Sequence, residues 1–119
     1  MDNLKKINDE WGHNAGSACL VEIAKLLSAN FRETDVIGRL GGDEFVVAGQ
    51  FDAPAISHAI ERIRSNAFES RIPGLHAPLT LSMGYAVGEG LSEETMKSIL
   101  SRADKAMYKE KRAKKGHFP

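Results

Sequence analysis

Gly41-Gly42-Asp43-Glu44-Phe45 sets two backbone-permissive glycines directly before two adjacent carboxylates. That combination suits one kind of chemistry. The acids supply hard oxygen donors for a divalent cation, and glycine lets a bulky ligand that carries such a cation, such as a nucleoside triphosphate, come close to the backbone. The elements that must position these groups lie on either side. Val36-Ile37-Gly38-Arg39-Leu40 precedes and Phe45-Val46-Val47-Ala48 follows, so the spacing predicts a β-hairpin with its tip at the glycines. A tight primed turn with φ > 0 at its central residues is expected there. Successive strand side chains point to opposite faces, so Asp43 and Glu44 cannot both enter one site in the same way. The plainer alternative is a charged hairpin tip without a ligand.

Around the hairpin, Leu20, Ile23, Ala24, Leu27 and Phe31 recur at helical spacing and predict a helix over about 15–31. Residues 53–68 read as a second helix with Ala55, Ala59, Ile60 and Ile63 inward. Pro73-Gly74 breaks the chain. Leu79, Leu81, Met83, Tyr85 and Val87 alternate with smaller residues and predict a strand. Ser92 is placed to cap a last helix, Glu93 and Glu94 suit the positive end of its dipole, and Met96, Ile99, Leu100, Ala103 and Met107 form its expected buried stripe. Helix, hairpin, helix, strand, helix is the order of a single α+β layer domain.

At 119 residues, with 42% hydrophobic and 27% charged residues, the chain has the size of one small domain with one core. Sixteen basic residues balance sixteen acidic ones, so the electrostatic drive for general nucleic-acid binding is absent and no nucleic-acid partner is expected. Cys19 is the only cysteine and sits among Ala18, Leu20 and Val21, where a buried, inert thiol is expected. No apolar run approaches the roughly 20 residues of a membrane span and no signal peptide is recognisable, which predicts a cytoplasmic domain. Any membrane anchor would belong to further sequence.

The run Asp2-Asn3-Leu4-Lys5-Lys6-Ile7-Asn8-Asp9-Glu10-Trp11-Gly12-His13, then Arg32-Glu33-Thr34-Asp35, the Gly41 to Phe45 core, Leu81-Ser82-Met83-Gly84 and Ala103-Asp104-Lys105-Ala106-Met107-Tyr108 together resemble the signature of the GGDEF family, the diguanylate cyclases. The resemblance spans nearly the whole chain. It implies a single GGDEF domain over 1–119 with an antiparallel-rich central sheet flanked by helices, the nucleotidyl-cyclase and ferredoxin-like arrangement. It also implies that the family's first strand and the first acid of its Asp-x-Asp motif precede Met1, so that the domain is truncated at its N-terminus and inactive alone.

The implied activity is condensation of two GTP into cyclic di-GMP with release of pyrophosphate. Magnesium or manganese would serve as cofactor, held by Asp43 and the backbone carbonyl of Met1. Asp43 is implied to help deprotonate the attacking 3′-hydroxyl, with Glu44 in a supporting role. Asn3, Leu4 and Lys5 take the places of the loop that contacts the triphosphate, and Gly42 leaves room for the nucleotide. Lys111 and Lys115 take those of two further phosphate-binding cations. Their i, i+4 spacing puts them on one helix face, and the alternative is a solvated basic tail. At Lys115 the family prefers arginine. Asn8 and Ser17 stand where the family reads the base.

Most cyclases carry aspartate where this chain has Ser17. A hydroxyl both donates and accepts, so it should separate guanine from adenine less sharply, and the resemblance to members that make the mixed cyclic AMP-GMP dinucleotide and carry serine at this place implies that dinucleotide as an alternative product. Ser17 as an ordinary residue near a helix N-terminus is the other reading. Arg32 and Asp35 resemble the family's inhibitory product site, completed by Arg62 or Arg64, against the alternative of a surface salt bridge. Catalysis implies a homodimer, and control implies an upstream sensory or regulatory domain. A non-catalytic module that binds GTP or cyclic di-GMP is the alternative from outside enzymology.

Overall fold

The computed structural model describes residues 4–88 and 93–116, with side chains except those of residues 93–95 and 115–116. In chain order the elements are α1 (Leu4–Trp11), α2 (His13–Asn30), β1 (Val36–Gly41), β2 (Glu44–Ala48), α3 (Ala53–Glu69) and α4 (Glu93–Gly116). The architecture is α+β, with β1 and β2 forming an antiparallel two-stranded sheet. The chain divides into two compact units, Met1–Gln50 with Ser57–Leu81, and Phe51–Ile56 with Ser82–Pro119.

The core of the first unit follows from helical periodicity. On α2, Ala15, Cys19, Ile23, Leu26 and Leu27 are buried at i, i+4 and i+3 steps, and Ala59, Ile63 and Ala67 repeat that step on α3. Hydrogen bonds tie α2 to α3 and to the residue just past its end, in antiparallel sense: Arg62 Nε donates to Asn30 Oδ1 at 3.1 Å, and Ser70 Oγ donates to Glu22 Oε1 at 3.2 Å. Ile72, Leu75, Leu79 and Leu81 complete the buried set. Each large aliphatic side chain so buried contributes about 1.5–3 kcal/mol. The second helix matches its expected range closely, whereas Ala24 and Ala55, expected inward, are exposed. Both are small enough to lie beside the stripe at little cost.

Three expectations are corrected. Residues 79–87 are not a strand. A strand needs a ladder for its backbone groups, and here side chains bond some of them instead. In the first unit Arg64 Nη1 donates to the Leu81 carbonyl at 3.4 Å, and in the second the Met83 N–H donates to the Glu110 carboxylate at 2.7 Å. Leu79 and Leu81 keep the buried side of the alternation, while Tyr85 and Val87 lie 41% and 44% exposed.

The stripe of α4 is narrower than expected. In the second unit, residues 83–88 run along the helix through Gly84, which lies against its backbone, and Gly88 beside Ile99. One extended segment covers one strip, so Ile99, Ala103 and Met107 are half-buried while Met96 and Leu100 remain exposed. The expected cap at Ser92 lies outside the described residues.

The third correction is α1. Leu4 and Lys5 were expected in a loop, yet they open an eight-residue helix with no buried residue. A helix that short is marginal by itself in water, so contacts to the rest of the unit must hold it. Gly12 makes the corner to α2 with φ 92, a conformation that side-chain-bearing residues rarely adopt.

Candidate functional site

The hairpin places Asp43 in its two-residue turn and Glu44 at the first position of β2, with Gly41 paired to Glu44. The register slips between Arg39 and Gly41, so Leu40 is an extra, exposed residue: a β-bulge that turns the tip. The expected primed turn is not formed, because neither Gly41 nor Gly42 takes a positive φ. A side chain closes the tip instead. Arg39 Nε donates to the carbonyls of Gly41 and Gly42, both at 3.2 Å, and Arg39 Nη2 donates to Gly42 O at 2.6 Å. Sequence reasoning missed Arg39, and no local pattern marks a guanidinium that folds back three residues on.

A Cβ built on Gly41 or on Gly42 meets nothing within 4 Å. With ordinary φ and open space, the fold itself does not require glycine at either position. What the glycines preserve is room over the backbone next to Asp43. Magnesium-class ions use one or two carboxylates and complete their shell with phosphate oxygens and water. Asp43, with Glu44 beside it, offers that hard-oxygen chemistry. No group of three His, Cys, Asp or Glu gathers among the described residues, so this donor set fits an ion shared with a phosphate ligand better than an all-protein cage. Met1 and Asn3 lie outside the described residues.

The corner between α1 and α2 brings Asn8 against Gly16, the residue that precedes Ser17 in the chain. Asn8 lies directly over Gly16, where any Cβ would collide with its carboxamide, and Leu4 also reaches this glycine. Asn8 is half-buried and Ser17 is exposed. Ser17 sits in the second turn of α2, past the positions where a hydroxyl caps a helix. Gly16 escaped the sequence reading, although a glycine inside a helical run is a visible signal of close approach. Leu4 and Lys5 stand in the first turn of α1, whose N–H groups have no intrahelical acceptor.

Lys111 is half-buried on α4 in the second unit, and the side chain of Lys115 lies outside the described residues. In the first unit, Arg32 and Asp35 close a turn. The Arg32 N–H donates to Asp35 Oδ2 at 2.8 Å and the Asp35 N–H donates to Arg32 O at 3.0 Å. The Asp35 side chain is only 2% exposed while that of Arg32 is 66% exposed, with Nε 3.8 Å from the carboxylate. Arg32 Nη2 also donates to Gln50 O at 2.9 Å. Arg62 bonds Asn30, two residues before Arg32, whereas Arg64 is engaged with Glu61 at 3.7 Å and with the Leu81 carbonyl. Burial pushes the Cys19 thiol above its ordinary pKa, which keeps it protonated and inert. Among the described residues no helix is long and apolar enough to cross a membrane.

The comparisons with known proteins agree with one another. Diguanylate cyclase A of Treponema denticola is 39% identical over 93% of this chain, which spans 30% of that relative's length. The active GGEEF domain of a diguanylate cyclase from Vibrio cholerae superposes with a TM-score of 0.82 at 32% identity, covering 94% of this chain and 72% of that one. The GGDEF domain of DgcB from Caulobacter crescentus, solved in complex with c-di-GMP, gives 0.81 at 27% identity over 94% of this chain and 68% of its own. The family model described as diguanylate cyclase, GGDEF domain, matches residues 1–117, and the chain belongs to that family.

Proposed function

We propose that this domain binds GTP at its hairpin tip and, in a homodimer, condenses two GTP into cyclic di-GMP with release of two pyrophosphates. The observation that carries the reading is the pair of glycines that the backbone does not need, set beside Asp43 and Glu44. The family model runs across both units, which supports treating residues 1–119 as one GGDEF domain. In the reaction each 3′-hydroxyl attacks the α-phosphorus of the other GTP. The new O–P bond forms as the bond to pyrophosphate breaks.

Asp43 receives the hydroxyl proton and also offers an oxygen to the cation, with Glu44 in support. Diguanylate cyclases of this family are generally dependent on a divalent metal. Magnesium or manganese, when bound, neutralises charge that develops on the phosphate oxygens. The free N–H groups of the first turn of α1, with Asn3 and Lys5, bind phosphate, as helix N-termini do. Lys111 and Lys115 are carried over from the family as further phosphate contacts. Asn8 and Ser17 read the base. Ser17 gives specific support to a second product, the mixed cyclic AMP-GMP dinucleotide, since its exposed hydroxyl can satisfy adenine as well as guanine.

Arg32 and Arg62 form the cationic part of a product-inhibition site, with Asp35 as its brace rather than as a base contact. The burial of the Asp35 carboxylate and its bond to the Arg32 N–H favour that division of roles. A GGDEF relative captured with c-di-GMP supports product binding by this fold. Incubating the full protein with GTP, ATP and magnesium, and identifying products by mass spectrometry, tests the proposal. Cyclic di-GMP or the mixed dinucleotide is expected, and nucleotide binding without either product would turn the reading to a non-catalytic module.

A further inference from the structure

The helix that carries Asn8 has no buried residue, so what fixes it in place matters for any ligand it contacts. Its first five residues are seated on α2 through Leu4 and Asn8, which reach Gly16. At its C-terminal end the last residue, Trp11, is 38% exposed and meets His76, with ring centroids 5.6 Å apart and planes inclined at 59°. That tilted geometry is a favourable one for an aromatic pair. The residue that follows is the corner glycine, Gly12.

His76 is presented by a rigid support. The Leu75 N–H donates to Ile72 O at 3.1 Å, Pro73 and Gly74 are the central residues, and Gly74 has φ 82: the signature of a type II turn. Ile72 and Leu75 flank this turn and are 7% and 8% exposed, so both of its ends are anchored in the core. A Cβ on Gly74 would stand 3.5 Å from the Cβ of Ala15, which places the turn against the start of α2. The loop is thus braced against one side of the α1–α2 corner while its histidine touches the other.

We infer that the Ile72–His76 turn is a strap for the base-reading corner, and that His76 is a positioning residue that acts through Trp11 and α1 to hold Asn8 over Gly16. This rests on the reading of Asn8 as a base contact. Residues 72–76 lie outside the stretches that carry the family resemblance, and the strap would set nucleotide affinity without touching the nucleotide. Because Trp11 is the only tryptophan in the chain, fluorescence excited at wavelengths that tyrosine does not absorb reports this corner.

The test is a double-mutant cycle on GTP affinity, read by Trp11 emission and checked by calorimetry on the whole chain. Asn8→Ala is expected to weaken GTP by about tenfold, the cost of one lost polar contact at a recognition site. His76→Ala is expected to weaken it by roughly two- to tenfold, in line with the loss of one ring contact. In the Asn8→Ala background the His76→Ala change should cost nothing further, since its route to the ligand has been removed. His76→Phe keeps a ring against Trp11 and should restore affinity.

Additive losses in the cycle, or no rescue by phenylalanine, would overturn the strap. Unchanged affinity in Asn8→Ala would instead overturn the base reading on which it rests. If His76→Ala does not fold, His76→Gln in the same cycle removes the ring at similar length. GTP affinity equal to wild type in that variant would also overturn the proposal.

Discussion

Gly42 and Gly84 both lie in stretches that carry the family resemblance, yet they are glycines for different reasons. A Cβ at Gly84 would run into the backbone of α4 at Ala103, Ala106 and Met107, which cannot move aside as a flexible side chain would. A Cβ at Gly42 would meet open space, at a φ that other residues adopt. The first glycine is required by the packing of the protein, whereas the second is not, and the proposed function gives it the role of leaving room for the nucleotide. A motif glycine that the fold can do without points to a ligand more directly than one buried in a contact.

The comparison can be broken at either end. Gly84→Ala should have the largest effect on stability, a loss of about 2 kcal/mol from forced overpacking, measured by urea denaturation. A wild-type midpoint would show that the segment beside α4 yields. Gly74→Ala comes next, at about 1–2 kcal/mol for a side chain held at positive φ.

Arg39→Met should leave global stability near wild type and speed amide exchange at the hairpin tip, because it removes the fork on the Gly41 and Gly42 carbonyls. Unchanged exchange would show that the turn closes without it. The smallest effect is at Cys19. Its thiol should resist alkylation until the fold is opened, and stability should hold through neutral pH. It should then decline only as the pH rises above the ordinary thiol range, because burial raises the folded pKa. Rapid labelling of the native chain would contradict that burial.

Much of this was legible in the sequence because it depends on neighbours close along the chain. The apolar step at Ala59 and Ile63 locates α3, the runs beside Gly41-Gly42 locate the hairpin, and Cys19 falls inside as its neighbours imply. The rest depends on partners far along the chain or on geometry that periodicity does not encode. Leu79 to Val87 alternates like a strand, but Arg64 and Glu110 take two of its backbone groups. Residues 4–11 have too little buried surface to announce a helix, and contacts from far along the chain, the fit over Gly16 and the Trp11–His76 ring pair, hold it. At the hairpin, the glycine pair suggested a primed turn, while Arg39 closes a different one. The placement of Asp43 and Glu44 at the tip was readable; the seat of Asn8 on Gly16 needed the corner at Gly12.

The most direct measurement takes a single variant, Gly42→Val, and determines its unfolding free energy and its GTP affinity side by side. An unconstrained glycine in open space predicts stability within about 0.5 kcal/mol of wild type, as for surface changes generally. The same variant is predicted to lose GTP binding by at least roughly tenfold, since the isopropyl group fills the space kept for the nucleotide. Wild-type GTP affinity in a destabilised Gly42→Val protein would contradict the account, because it would make this glycine a requirement of the fold rather than of the ligand.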